Sequence, residues 1–268
     1  MTSVSDLGRD WAARRKKVVP NEFNVIFVSS LPSTQALART LVEQCVHEDE
    51  GPLPFVIAAL EQTRGKGRRD RVWSSPKEGG FYGSLVLPVA GPERLQELPV
   101  RIAVALAELV NERIGDRCRV KWPNDLVVGR KKLGGILVDV VTPPAPAEIW
   151  AILGMGVNLR TPPVGDRTPV TSITEAAAVR DSPRFNLAEL VGDAIVAIWS
   201  ALHSERQDWI ERFVRLSVHR PGDPLRFLAG DEEIAGRFSG FDENGFLLLD
   251  EDSSGALRTV RSGEVFAW

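Results

Sequence analysis

From residue 23 onward, runs of apolar residues alternate between strand length and helix length. "FNVIFVSS" (23–30) and "GGFYGSLVLP" (79–88) read as strands. "PFVIAAL" (54–60) is wholly apolar and too short for a buried helix, so it predicts a buried strand. Between the first two runs, Leu37, Leu41, Val42 and Cys45 recur at helical spacing behind Ser33 or Thr34, either of which can cap the helix. A longer helix is predicted over 92–114, with Leu95, Leu98, Ile102, Leu106, Leu109 and Val110 on one side. "CRVKWPNDLVVGRKKLGGILVDVV" (118–141) predicts two strands and a turn, with Gly129 at the turn and Pro123 interrupting the first strand. "EIWAILGMGVNL" (148–159) is a further strand. "RTPPVGDRTPVTS" (160–172) has the composition of a mobile loop. Two helices follow near 186–202 and 204–216, with Trp199, Leu202, Trp209, Ile210 and Phe213 as core contacts.

After His219 the period changes. Short strands are separated by "GDEE", "DENG" and "DSSG" turns, which predicts a small β-barrel. The expected organisation is α+β: a mixed-sheet domain over 1–218, with residues 1–20 as an arm, then a barrel over 219–268.

Charge narrows the function classes. The 268 residues carry a net charge of −3, so a general nucleic-acid-binding character is not expected. Against that background Arg64–Arg71 carries five cations in eight positions, interleaved with Gly65 and Gly67 and followed by Trp73. Glycines admit backbone N–H groups close to a ligand, and arginines add charge-assisted hydrogen bonds, a combination that suits phosphate. A solvated basic turn and a nucleic-acid patch remain alternatives. The segment is not a P-loop, because no Ser or Thr follows Lys66. Cys45 and Cys118 lack metal-type spacing and read as buried free thiols. No signal peptide and no membrane span is apparent, so a cytoplasmic protein is expected.

Other candidate positions are ambiguous one by one. Lys121, Asn124, Asp125, Lys131 and Lys132 cluster around a tight turn. Asn and Asp beside a proline can be plain turn residues, but Asp125 is also a candidate Mg²⁺ ligand. Gly134 and Gly135 inside a strand suggest close approach by a ligand. "GMGVN" (154–158) ends a strand with two glycines and an amide, and "PSTQ" (32–35) places hydroxyls at a helix start. His47, His203 and His219 lie outside these motifs, so no nucleophilic triad is expected.

Together the motifs resemble the biotin–protein ligases, whose pattern is G-R-G-R-x-G-R-x-W-x-S-P, K-W-P-N-D, K-L-x-G-I and G-x-G-x-N. Here they stand as "GKGRRDRVWSSP", "KWPND", "KKLGGILVD" and "GMGVN", in that order. "STQ" (33–35) resembles the family's S-T-N, and the C-terminal segment resembles its SH3-like barrel. Lys66 and Asp70 depart from the family's Arg and Gly. Some members carry an N-terminal helix-turn-helix and act as repressors; the short lead before the first strand suggests a single-function ligase that binds no DNA and no membrane. Members occur as monomers and as homodimers, and the sequence does not select between them.

The resemblance implies a class II synthetase-like fold and two steps. Biotin's carboxylate attacks the α-phosphate of ATP, giving biotinyl-5′-AMP and pyrophosphate. A lysine of a biotin carboxyl carrier protein domain then takes the biotinyl group and releases AMP. A carboxylate is ionised at neutral pH, so the first step needs no general base. Ser33, Thr34, Gln62, Gly65, Lys66, Arg68, Lys132, Gly135 and Gly156 are implied for biotin. Arg68, Arg69, Arg71, Trp73, Asn124, Lys132 and Asn158 are implied for ATP or the adenylate. Lys132, Arg68 and Asp125 are the implied catalytic set, with Asp125 as the Mg²⁺ candidate. Alternatives are a lipoate–protein ligase of the same fold and a biotin-responsive, non-catalytic regulator.

Overall fold

A computed structural model describes residues 23–48, 53–89, 91–143, 149–160, 169–177, 187–229 and 232–268. Its first sheet has seven strands: β1 (Asn24–Val28), β2 (Phe55–Ala59), β3 (Gly80–Val89), β4 (Cys118–Lys121), β5 (Asp125–Val128), β6 (Lys131–Val141) and β7 (Ile149–Asn158). Their spatial order is β1-β2-β3-β7-β6-β5-β4. The β1/β2 pair is parallel and all other pairs are antiparallel, so the sheet is mixed.

Both faces of this sheet are covered, which explains the unbroken apolar run of β2. Val56 and Ala58 join a core with Ile102, Leu106 and Val110 of the long helix; Phe55, Ile57 and Ala59 join a second core with Ala38 and Val42. The latter two lie on α1 (Thr34–His47), whose first residues face the sheet. The long helix is α2 (Pro92–Ile114); α3 (Ile173–Ala177), α4 (Leu187–Leu202) and α5 (Arg206–Leu216) follow it. Burying each fully covered Val or Ile contributes about 2 kcal/mol. On α1 the stripe turns slightly from the expected one: Ala38 and Val42 are buried, while Leu37, Leu41 and Cys45 are half-buried. Cys118 is a buried free thiol, pushed up to about 12 by burial.

The 118–141 segment forms three strands, not two strands and a turn. Pro123 has no N–H to continue a ladder. The chain turns back there through a cis Trp122–Pro123 bond, and Lys121 pairs with Asp125 as the last rung of a β4–β5 hairpin. Gly129, at φ +58°, makes the next turn as expected.

The C-terminal segment forms a five-stranded antiparallel sheet: β8 (Pro224–Ala229), β9 (Glu232–Phe241), β10 (Leu247–Glu251), β11 (Leu257–Val260) and β12 (Glu264–Ala267), ordered β11-β10-β9-β8-β12. No ladder joins β11 to β12 among the described residues, so the expected barrel is seen as a sheet. Its apolar side continues into the core beneath α5. Phe213 of α5 packs tilted against Phe241, ring centres 4.2 Å apart, and Trp122 donates its indole N–H to the Gly245 carbonyl at 3.1 Å. These contacts place the start of β12 beside the β4–β5 turn. Residues 1–20 and most of the 160–172 loop lie outside the described residues.

Candidate active site

The cleft lies over the middle of the large sheet. Its floor starts at α1, where Ser33 caps the helix by accepting from the Ala36 N–H. Thr34 and Gln35 follow on the first turn, both buried. Gln62 is brought opposite them because Thr63 and Arg64 donate backbone bonds to Leu31 and Pro32. Gln62 Oε1 accepts from the Thr34 N–H at 2.8 Å. Ser84 of β3 closes the floor, 2.8 Å from Thr34 Oγ1 and 2.9 Å from Gln35 Oε1.

The basic loop forms one wall. It folds back on itself: Trp73 N–H donates to Gly65 at 2.9 Å and Gly67 N–H to Arg71 at 2.7 Å. A Cβ on Gly65 would meet the Trp73 carbonyl at 2.4 Å, so only glycine fits there. Arg69 takes a left-handed conformation at the loop tip (φ 55°). Its partner, and that of Arg71, is Glu264 on β12. Arg71 binds this carboxylate with both terminal nitrogens at 2.6 and 3.0 Å, and Arg69 lies 3.5 Å away. Arg68 reaches across the cleft to the Asn124 side-chain oxygen at 2.9 Å and the Gly263 carbonyl at 3.0 Å.

The opposite wall is the β4–β5–β6 meander. Lys132 Nζ lies 2.8 Å from Asp125 Oδ1 and 5.5 Å from the Trp73 ring centre. Asn124 is oriented by donating to the Ile136 carbonyl at 2.7 Å. Gly156 lies beneath the Trp73 indole, and a Cβ there would come within 2.5 Å of the ring. The indole N–H is buried without a partner. Burial lowers the pKa of both Arg68 and Lys121, with Asp125 opposing the shift in each case. The cleft therefore gathers desolvated positive charge, a setting for an anionic ligand.

Most sequence-predicted residues meet here. Ser33, Thr34 and Gln62 lie at the floor; Lys66, Arg68, Arg71 and Trp73 on the loop; Asn124, Asp125, Lys132, Gly135 and Gly156 on the strands. Three do not line the cleft. Gly65 is buried inside the loop's own fold, and Arg69 points to Glu264. Asn158 spends its amide on the Thr171 carbonyl at 3.0 Å, fastening the 169–172 segment beside Lys132. Gln35 and Gly154 stand in the STQ and GMGVN motifs but the sequence assigns them no role, and it singles out neither Ser84 nor Glu264. Gln35 carried a signal as a departure from S-T-N; Ser84 and Glu264 stand in no motif.

A magnesium site is not built from the protein alone. Among the described residues no three His, Cys, Asp or Glu side chains converge, and the candidate Asp125 is already neutralised by Lys132. Among the described residues the donor set does not form a resident Mg²⁺ site.

A mixed sheet carrying a polar floor beside two desolvated cations, Arg68 and Lys121, is a fold and site suited to a small anionic ligand. The family model for the biotin/lipoate A/B protein ligases matches residues 28–158, and that for the biotin protein ligase C-terminal domain matches 222–268. The biotin–[acetyl-CoA-carboxylase] ligase of Paracoccus denitrificans is 32% identical over 208 residues, covering 72% of this chain and 82% of that protein. The chain belongs to the biotin protein ligase family. The bifunctional ligase/repressor BirA of Escherichia coli is 31% identical over 217 residues, 78% of this chain but 64% of its own length, so the match spans under two thirds of that relative. The Aquifex aeolicus biotin protein ligase, solved with biotin and ATP, has the same fold: TM-score 0.71, 23% identity, 90% of this chain and 97% of that one.

Proposed function

We propose that this protein is an ATP-dependent ligase that activates biotin as biotinyl-5′-AMP and transfers it to a lysine of a biotin carboxyl carrier domain. The observation that carries the reading is the position of Lys132. Its ammonium lines the cleft from the wall opposite the arginine loop, with Asp125 holding it at 2.8 Å and the Trp73 ring centre 5.5 Å away. A carboxylic acid whose head group rests on the floor would extend its anionic end toward that ammonium. An α-phosphate held by Arg68 and Arg71 would approach the same point.

In the first step a carboxylate oxygen of biotin forms a bond to the α-phosphorus while the bond to pyrophosphate breaks. Both reactants are anions, so the protein's contribution is to bring them together and stabilise the charge spread over phosphorus. Lys132 and Arg68 supply that charge. In the second step the carrier lysine's neutral amine attacks the acyl carbon, AMP leaves, and the amine's proton departs. Asp125 lies nearby to receive it; normal transfer by Asp125→Asn would rule that role out. Trp73 over Gly156, and the 169–172 segment fastened by Asn158, screen the anhydride from water.

Residues 219–268 are proposed as a separate sheet domain that braces the loop through Glu264 and Gly263. The deciding experiment is ATP–pyrophosphate exchange with biotin, with lipoate and with neither. Biotin-dependent exchange, followed by labelling of a carrier domain, supports the reading. Exchange with lipoate alone would make the protein a lipoate–protein ligase of the same fold.

A further inference from the structure

Four side chains on the cleft floor form a hydrogen-bonded chain whose proton positions are fixed by its ends. Gln35 Nε2 lies 2.9 Å from the Ile152 carbonyl, which can only accept, so the amide nitrogen must face it. Gln35 Oε1 therefore faces Ser84, and Ser84 must donate its one proton there, at 2.9 Å. Ser84 then has only lone pairs for Thr34, 2.8 Å away, so Thr34 is the donor in that contact. Thr34's second neighbour, Gln62 Oε1 at 3.1 Å, is also an acceptor, since its orientation is fixed by the Thr34 backbone N–H. Whichever oxygen takes the proton, Thr34 keeps none for a ligand. Ser84 is fully buried, and Thr34 and Gln35 nearly so, so water is not on hand to scramble the order.

We infer that Gln35 and Ser84 are positioning residues that lock the Thr34 hydroxyl as a hydrogen-bond acceptor toward the cleft, so that the floor selects a head group carrying a ring N–H donor. The inference rests on the biotin reading and deepens it. A ureido ring brings N–H donors, whereas a dithiolane ring brings none and leaves the Thr34 lone pair unmatched. Gly154 belongs to the same device, because a Cβ there would lie 2.6 Å from Gln35 Oε1 and push the amide off its carbonyl.

The test is steady-state ATP–pyrophosphate exchange with the full chain. Ser84→Ala leaves the Thr34 proton only the longer contact to Gln62 Oε1 at 3.1 Å, an oxygen already occupied by the Thr34 N–H, so the lock loosens and the KM for biotin is expected to rise roughly fivefold, with kcat and the KM for ATP unchanged. Gln35→Met frees the Ser84 proton and is expected to act in the same direction. The double variant should resemble the singles, because either change breaks the same chain. With the two singly N-methylated biotins, the Ser84→Ala penalty should vanish for the one whose donor toward Thr34 is lost. A wild-type KM in both single variants, additive effects, or a penalty that persists with both methylated ligands would overturn the inference while leaving the biotin reading intact. Wild-type protein with no biotin-dependent exchange would overturn both.

Discussion

The floor of the cleft and the basic loop are a few ångströms apart and are held in opposite ways. The floor is neutral and buried, and each proton in it is assigned by a backbone group at the end of the chain: the Ile152 carbonyl on one side and the Thr34 N–H on the other. The loop is charged and largely exposed. It is held from a distant part of the chain, by Glu264 and Gly263 at the start of β12. The Arg71 side chain is 62% exposed even in its bidentate pair, and a pair so open to water contributes on the order of 0.5 kcal/mol. A misfit in the floor leaves a buried polar group unpaired and costs more than that. The floor is therefore suited to recognising one shape of neutral head group. The loop is suited to exchange, because a phosphate can replace a carboxylate on an arginine at little cost.

The largest effect is expected on the wall opposite the loop. Lys132→Ala removes the cation there and should lower adenylation by roughly a hundred- to a thousandfold, read as biotin-dependent pyrophosphate exchange. The same variant should keep much of its affinity for biotin in a calorimetric titration, because the floor does not depend on Lys132.

The brace beneath the loop can be probed with pH. His219 is 2% exposed, with its ring tilted against Phe238 and edge-on to Trp268, and both ring nitrogens unpartnered. Burial first, and Lys121 second, lower its pKa to about 4 from the usual 6.5. The unfolded chain therefore binds more protons between those values, so stability is full above pH 6.5 and falls as pH drops toward 4. Between pH 7 and pH 4.5 the loss should be about 2.5 kcal/mol, read by urea denaturation at the two pH values. His219→Phe should flatten that dependence.

Smaller effects should separate loop from floor. Arg68→Gly removes a residue that bridges to Asn124 and Gly263, and should raise biotin labelling of non-carrier proteins about tenfold through loss of the adenylate. If labelling of bystander proteins does not change, the loop is not the gate. Glu264→Gln should be mildest. It removes the carboxylate that Arg71 holds, should lower the KM for ATP about two- to threefold, and should leave the KM for biotin alone. A change in the biotin KM would show that the two regions are not independent.

Much of the fold was readable because its signals are local. The unbroken apolar run of Phe55–Ala59, the helical spacing through α2 and the turn chemistry around Gly129 act within a few residues. At Pro123 the sequence predicts an interrupted strand where the structure has a hairpin, because a proline marks where a ladder stops but not whether the chain turns back. The large site motifs were readable for a similar reason: glycines and cations must stand together in sequence to make one loop around a ligand.

By itself the sequence determined the α+β class, the family and the cations of the site. Each depends on short-range spacing that the chain carries wherever it folds. Only the tertiary structure decided what those groups face. Ser84 lies 49 residues from Gln35, and Glu264 lies 193 residues from Arg71. Neither partner stands in a motif, because one carboxylate or one hydroxyl has no spacing to recognise. Their roles arise from the order in which the strands assemble, which brings β3 beneath α1 and the start of β12 against the loop.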